Sequence, residues 1–202
     1  MPIISFFFVK DKKAGLWVIF FYFVYGFLSD AVINSIVNGI HPFLGWRMFT
    51  VIEFIVLSVY FHKIISNKII KKIIPVIATV FVLFCLYDLF TSKSSYFDSV
   101  PVAVEAILIL GYCVIFLFQQ LKSPDSLFLY STPTFWVIVA FLIYFAGTFF
   151  VFIYAQNYYG NEHFDRNYTL INSTFLLLRN IFISIAFFVR PRKQDYKFIP
   201  SK

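Results

Sequence analysis

Ionisable side chains stand where this chain is otherwise apolar: Asp30, Arg47, Glu53, Asp88, Glu105 and Arg179. Arg179 is the sharpest case. It sits in the middle of YTLINSTFLLLRNIFIS, residues 168–184, a stretch apolar enough to enter a bilayer. An arginine at that depth costs roughly 2.5–3.5 kcal/mol on the insertion scale. The chain must therefore supply an internal group that receives it. Carboxylates and a guanidinium in hydrocarbon can do two kinds of work. They can neutralise one another and fix helix packing. Or they can line a polar pocket that takes a small ligand, passes a proton or, through paired carboxylates, supports hydrolysis.

The elements that carry these groups follow from composition. The chain has 202 residues, of which 60% are hydrophobic and 13% charged, against about 25% charged in soluble domains. Its mean hydropathy is +0.82. This is the composition of an all-α, polytopic transmembrane helix bundle. Thirty Phe and thirteen Tyr read as a lipid-facing aromatic composition rather than a ligand cage. Apolar runs long enough to cross the roughly 30 Å hydrocarbon core lie at about residues 14–36, 43–65, 72–90, 98–120, 133–156 and 168–189. The spacing therefore predicts six helices in one integral-membrane domain over residues 1–202. Residues 2–9 read either as the tail of a seventh helix, cut short, or as a short interfacial segment.

Lys and Arg asymmetry sets the orientation. Lys10, Lys12 and Lys13 precede the first run. Lys63, Lys68, Lys71 and Lys72 surround the second connection, Lys122 follows the fourth run, and Arg190, Arg192, Lys193, Lys197 and Lys202 form the tail. All of these fall on one side of a six-helix bundle, with only Lys93 and Arg166 in the loops opposite. Both termini are expected to be cytoplasmic. The net charge of +7 is thereby spent on topology and points to no nucleic acid.

Depth counted at about 1.5 Å per residue from the outer helix ends puts Glu53 roughly 15 Å down and Arg179 roughly 16 Å down. Glu53 is thus the first partner expected for Arg179, with Glu105, roughly 10 Å down, as the alternative. Arg47 is shallower, in reach of Asp30 or Asp88. Asp98, Glu105, Tyr112 and Gln119 recur every seven residues and share one stripe of the fourth helix. Asn172 and Arg179 share a face of the sixth, with Asn180 beside it. Gly26, Asp30 and Asn34 step along the first. Tyr144, Gly147 and Thr148 belong to the small and polar stripe of the fifth. These faces can converge on one interior that is richer in polar groups toward the outer side.

Local signals fit the spans. Ser131 or Thr132 can cap the fifth helix, with Pro133 near its first position. Trp136 then sits at interfacial depth. Pro75 falls in the first turn of the third helix, at little cost. Cys85 and Cys113 lie at different heights, which disfavours a disulfide.

Familiar chemistry is not spelled out. There is no HExxH, no GxSxG and no Gly-rich phosphate loop, and the last helix has no lysine for a Schiff base. Glu162, His163 and Asp165 have a spacing that chance supplies often. No metal or cofactor is expected.

The run PTFWVIVAFLIYFAGTFF, residues 133–150, together with RMFTVIEF, residues 47–54, resembles small multi-helix bacterial inner-membrane proteins of unknown activity. It is also similar to the membrane input modules of two-component sensors. That resemblance implies a bacterial cytoplasmic-membrane location and a sensor or accessory signalling module. Such a module has an outward-facing polar pocket for a small ligand and a partner membrane or signalling protein on the cytoplasmic side. A small-molecule transporter, or its substrate-binding subunit, is the alternative, and a membrane-embedded hydrolase the third.

Overall fold

In the computed structural model, residues 2–7, 14–36, 42–91, 99–122, 130–158 and 160–189 are described. Seven helices and no strand occur among them: α1 (Pro2–Phe7), α2 (Ala14–Ile36), α3 (Pro42–Ile64), α4 (Lys68–Thr91), α5 (Ser99–Leu121), α6 (Pro133–Tyr158) and α7 (Glu162–Phe188). Four of them, α4 to α7, are long and apolar enough to cross a membrane, and α2 contains a shorter apolar helix, Gly15–Ser29. These are the marks of an integral membrane protein. α3 is less apolar because it carries Arg47, Glu53 and His62.

Two helices begin earlier than apolarity alone suggests. The Asn67 side chain accepts from the amides of Ile69 and Ile70, which starts α4 at Lys68, upstream of the expected residue 72. Pro75 therefore lies two turns inside the helix, not in its first turn. Its missing N–H leaves the Lys71 carbonyl without its usual helical donor. The His62 ring nitrogen Nδ1, 3.1 Å away, takes that place. Likewise Asn161 accepts from the amides of His163 and Phe164, and α7 starts at Glu162 rather than near residue 168. Caps are polar, so a search for apolar runs passes over them.

Antiparallel neighbours follow from the short connections. α2, α3, α5, α6 and α7 make a ring, α4 packs on the outside of α3, and α1 bridges α2 and α7 at one end. α1 is the segment read as a helix tail or an interfacial piece. It holds its place through Phe6, which stacks on Phe20 at 4.3 Å and meets Phe187 edge-on at 5.5 Å. α1, Lys63 and Lys68 share one end of the bundle, its basic end.

The α6–α7 hairpin is the most intimate pairing. Its turn uses Gly160 at φ 94°, a left-handed conformation that costs glycine little. Its amide donates to the Asp165 carboxylate. Halfway along, Gly147 lets the Phe175 ring lie where a Cβ would stand. This approach fixes the height of α7 against α6, and hence the height of Arg179.

Most threonine hydroxyls in the described helices bond to carbonyls four residues back, as Thr50 does to Trp46 and Thr148 to Tyr144. Such local bonds satisfy the hydroxyl without a partner from another helix. The polar groups left to join helices are therefore few.

Candidate functional site

Arg179 is buried near the middle of α7. Its Nη1 donates to the Tyr22 hydroxyl of α2 at 2.7 Å. That hydroxyl donates in turn to Glu53 Oε1 of α3 at 2.5 Å. The direct Arg179–Glu53 approach is 4.0 Å, too long for a hydrogen bond. The tyrosine oxygen thus stands between the two charges and accepts from one while donating to the other. α7 meets the neighbouring helices α2 and α3, far from it in sequence, at this point.

Aromatic rings surround the guanidinium. Its carbon lies 4.5 Å from the centroid of the Tyr144 ring on α6, and 5.5 Å from those of Tyr22 and Phe23. Ring faces attract a cation, and more strongly where water is excluded. Tyr144 reaches Asn172 Oδ1 at 3.5 Å, the weak limit of such a bond. Asn172 is thus tied to the cluster through Tyr144, while Asn180, the next residue after Arg179, is half-buried beside it. The positive and negative charges cancel, so the centre is electrically closed although it is built from ions.

A second arginine site lies toward the other end. Arg47 Nη2 meets Asp88 Oδ2 at 2.7 Å, and Nη1 donates to the Cys85 carbonyl at 2.9 Å. Both acceptors belong to α4, so this pair clasps the α3–α4 hairpin. Of the two acids in reach of Arg47 by depth, Asp88 makes this contact. The side chains of Asp30 and Asn34 lie outside the described residues, as does Asp98.

The fourth-helix stripe becomes the face of α5 toward α3, but its members do separate things. Glu105 is 1% exposed. Tyr112 packs against Phe54 and Phe61. Gln119 accepts from the Ser66 amide and braces the α3–α4 connection. The contacts that define the Arg179 centre run to Tyr22 and Glu53, one helix over from this stripe. At the far end of the bundle, the Asp165 carboxylate is engaged with the Gly160 amide, and no group of three metal-ligating side chains occurs among the described residues.

Tyr22 is the member of the centre that sequence reasoning did not single out. One signal was available: Tyr22, Gly26, Asp30 and Asn34 are spaced by four, so the polar stripe of α2 continues one turn further back. Among thirteen tyrosines it carried no mark of its own.

Among the described residues the wall between α2 and α7 is the thin one in the ring, where the two helices make little close backbone approach. Arg179 reaching Tyr22 closes it at mid-height, and Phe6 of α1 closes it at the basic end. No known protein family, curated protein or solved structure matches the chain.

Proposed function

We propose that the chain is a six-span membrane protein with both termini cytoplasmic, and that it acts as a sensor or accessory signalling module for a small anionic ligand. In this reading α2 and α3 span alongside α4 to α7. Each has 23 residues, or about 34 Å of helix, enough for the hydrocarbon core. The basic end is cytoplasmic because Lys63, Lys68, Lys71, Lys72 and Lys122 gather there.

The observation that carries the sensing role is the interposed hydroxyl. Arg179 is held to Glu53 through a neutral oxygen, 4.0 Å from the carboxylate. An anionic group entering along the half-buried outer parts of α2 and α7 competes with Tyr22, not with a direct two-pronged ion pair. Displacing Tyr22 releases the bond that ties α2 to α7 at the thin wall. A ligand acts only through its differential affinity for the two packings. Moving such an equilibrium from 1:99 to 99:1 takes about 5.5 kcal/mol of that difference. A partner at the cytoplasmic ends then reads the change in α2 and α7.

Thiol accessibility tests the outward opening. In a Cys85→Ser, Cys113→Ser background, Tyr25→Cys and Asn172→Cys are each placed beside the proposed opening. A charged, membrane-impermeant thiol reagent should modify both from the outer face of oriented vesicles. It should modify Ile109→Cys from neither face. Silence at both outer positions would remove the pocket, and modification from the inner face alone would reverse the topology.

A further inference from the structure

A second concavity lies away from the arginine centre, where α3 and α4 part near the basic end. Ile55 and Val59 of α3 face Ile74 and Ala78 of α4 across a groove of about 320 Å³, with Pro75 in its wall. His62 and Lys63 line its basic end. From Ile55 to Lys63 the groove follows α3 for about 12 Å.

Its local chemistry follows from Pro75. The Lys71 carbonyl accepts from His62 at 3.1 Å in place of the amide that proline lacks. A carbonyl only accepts, so His62 carries its proton on Nδ1, and Nε2 is left as an acceptor at the mouth. Lys63 stands beside it, and Lys68, Lys71 and Lys72 follow within the first turns of α4. No acidic residue occurs from His62 to Ile74, so the charge at the mouth is of one sign. The groove opens sideways because α4 is the outlying span, with only 17% of its apolar window buried. In the six-span reading this side of α4 faces lipid.

We propose that this groove is a binding site for an anionic phospholipid. One acyl chain lies along Ile55, Val59, Ile74 and Ala78, and the phosphate is held by Lys63 at the mouth. A zwitterionic lipid offers the same chain but brings its own cation to a mouth that is already positive. Basic sites between helices at the cytoplasmic interface suit anionic head groups for this reason. The site needs only the membrane-spanning character of α3 and α4. It stands whether or not the arginine centre senses a ligand.

Native mass spectrometry of the full chain tests it. The protein is stripped of lipid, then offered phosphatidylglycerol or phosphatidylcholine. Retention of phosphatidylglycerol should exceed that of phosphatidylcholine roughly tenfold, the ratio expected from one or two interfacial cations. Lys63→Gln should remove most of that preference. Ala78→Phe, which fills the groove, should lower retention of both lipids. Equal retention of the two lipids by the wild type overturns the head-group assignment. Undiminished retention by a folded Ala78→Phe overturns the groove. Should Ala78→Phe fail to fold, Val59→Phe, which narrows the opposite wall, takes its place with the same expected and overturning results.

Discussion

Arg47 meets Asp88 directly at 2.7 Å, whereas Arg179 stands 4.0 Å from Glu53 and touches it through the Tyr22 hydroxyl. The Arg47 pair joins α3 to α4, which the chain has already made neighbours by a short turn. The Asp88 side chain keeps 22% of its surface exposed, so water shares in solvating that carboxylate, while the Arg47 guanidinium is buried. The Arg179 centre joins α7 to α2 and α3, from opposite ends of the chain, and all three polar side chains are buried. The first contact tightens a hairpin that would form without it. The second closes a ring whose α2–α7 wall, among the described residues, has little other close backbone approach. Equal formal charges therefore carry unequal consequences, set by how much water each pair keeps and by whether another contact can do the same work.

The largest test of this contrast removes one charge from the closed centre. Glu53→Ala leaves Arg179 buried without its counter-ion and should destabilise the protein by about 3–5 kcal/mol. Replacing both, as Glu53→Leu with Arg179→Met, should cost much less than the two single changes added, because the cost lies in the orphaned charge. Steric-trap unfolding in bicelles gives all three values. Additive losses would mean that the two residues do not share one centre.

Removing only the mediator is the next step down. Tyr22→Phe keeps the ring against Phe141 and loses both hydroxyl bonds, so stability should fall by about 1–3 kcal/mol. The same unfolding assay reads it. A loss as large as that of Glu53→Ala would show that the hydroxyl bridge, rather than the pairing of charges, carries most of the centre's stability.

The smallest effect belongs to the hairpin. Asp88→Asn keeps an acceptor for Arg47 and removes a charge that is partly solvated, so about 0.5–1 kcal/mol should be lost. Added salt should shrink this difference and leave that of Glu53→Ala nearly unchanged. If Asp88→Asn proves as damaging as Glu53→Ala, the contrast between the two regions fails.

The two regions also differ in how far they could be read in advance. The depth count brings Arg47 within reach of Asp30 or Asp88, and the contact with Asp88 comes from the packing of α3 on α4. Glu53 and Arg179 at one level follow from the same count. Tyr22 does not, because its importance comes from the distance across which it bridges, and no run length encodes how far α2 stands from α7. The early start of α4 was visible in principle at Asn67 but hidden by the weight given to hydrophobicity. That start made Pro75 an interior proline, and with it came the role of His62.

The sequence by itself determined that this chain is helical and apolar enough for a membrane, where its long helices lie, and that Arg179 needs an internal partner. Those properties are local, since hydrophobic run length and charge are written residue by residue. Tertiary structure alone decided that a tyrosine mediates the pair, that α1 and Arg179 close the α2–α7 wall, and that α3 and α4 part around Pro75. These depend on distances between helices. Close packing at points such as Gly147 against Phe175 sets those distances, and packing is a property of the assembled bundle rather than of any one segment.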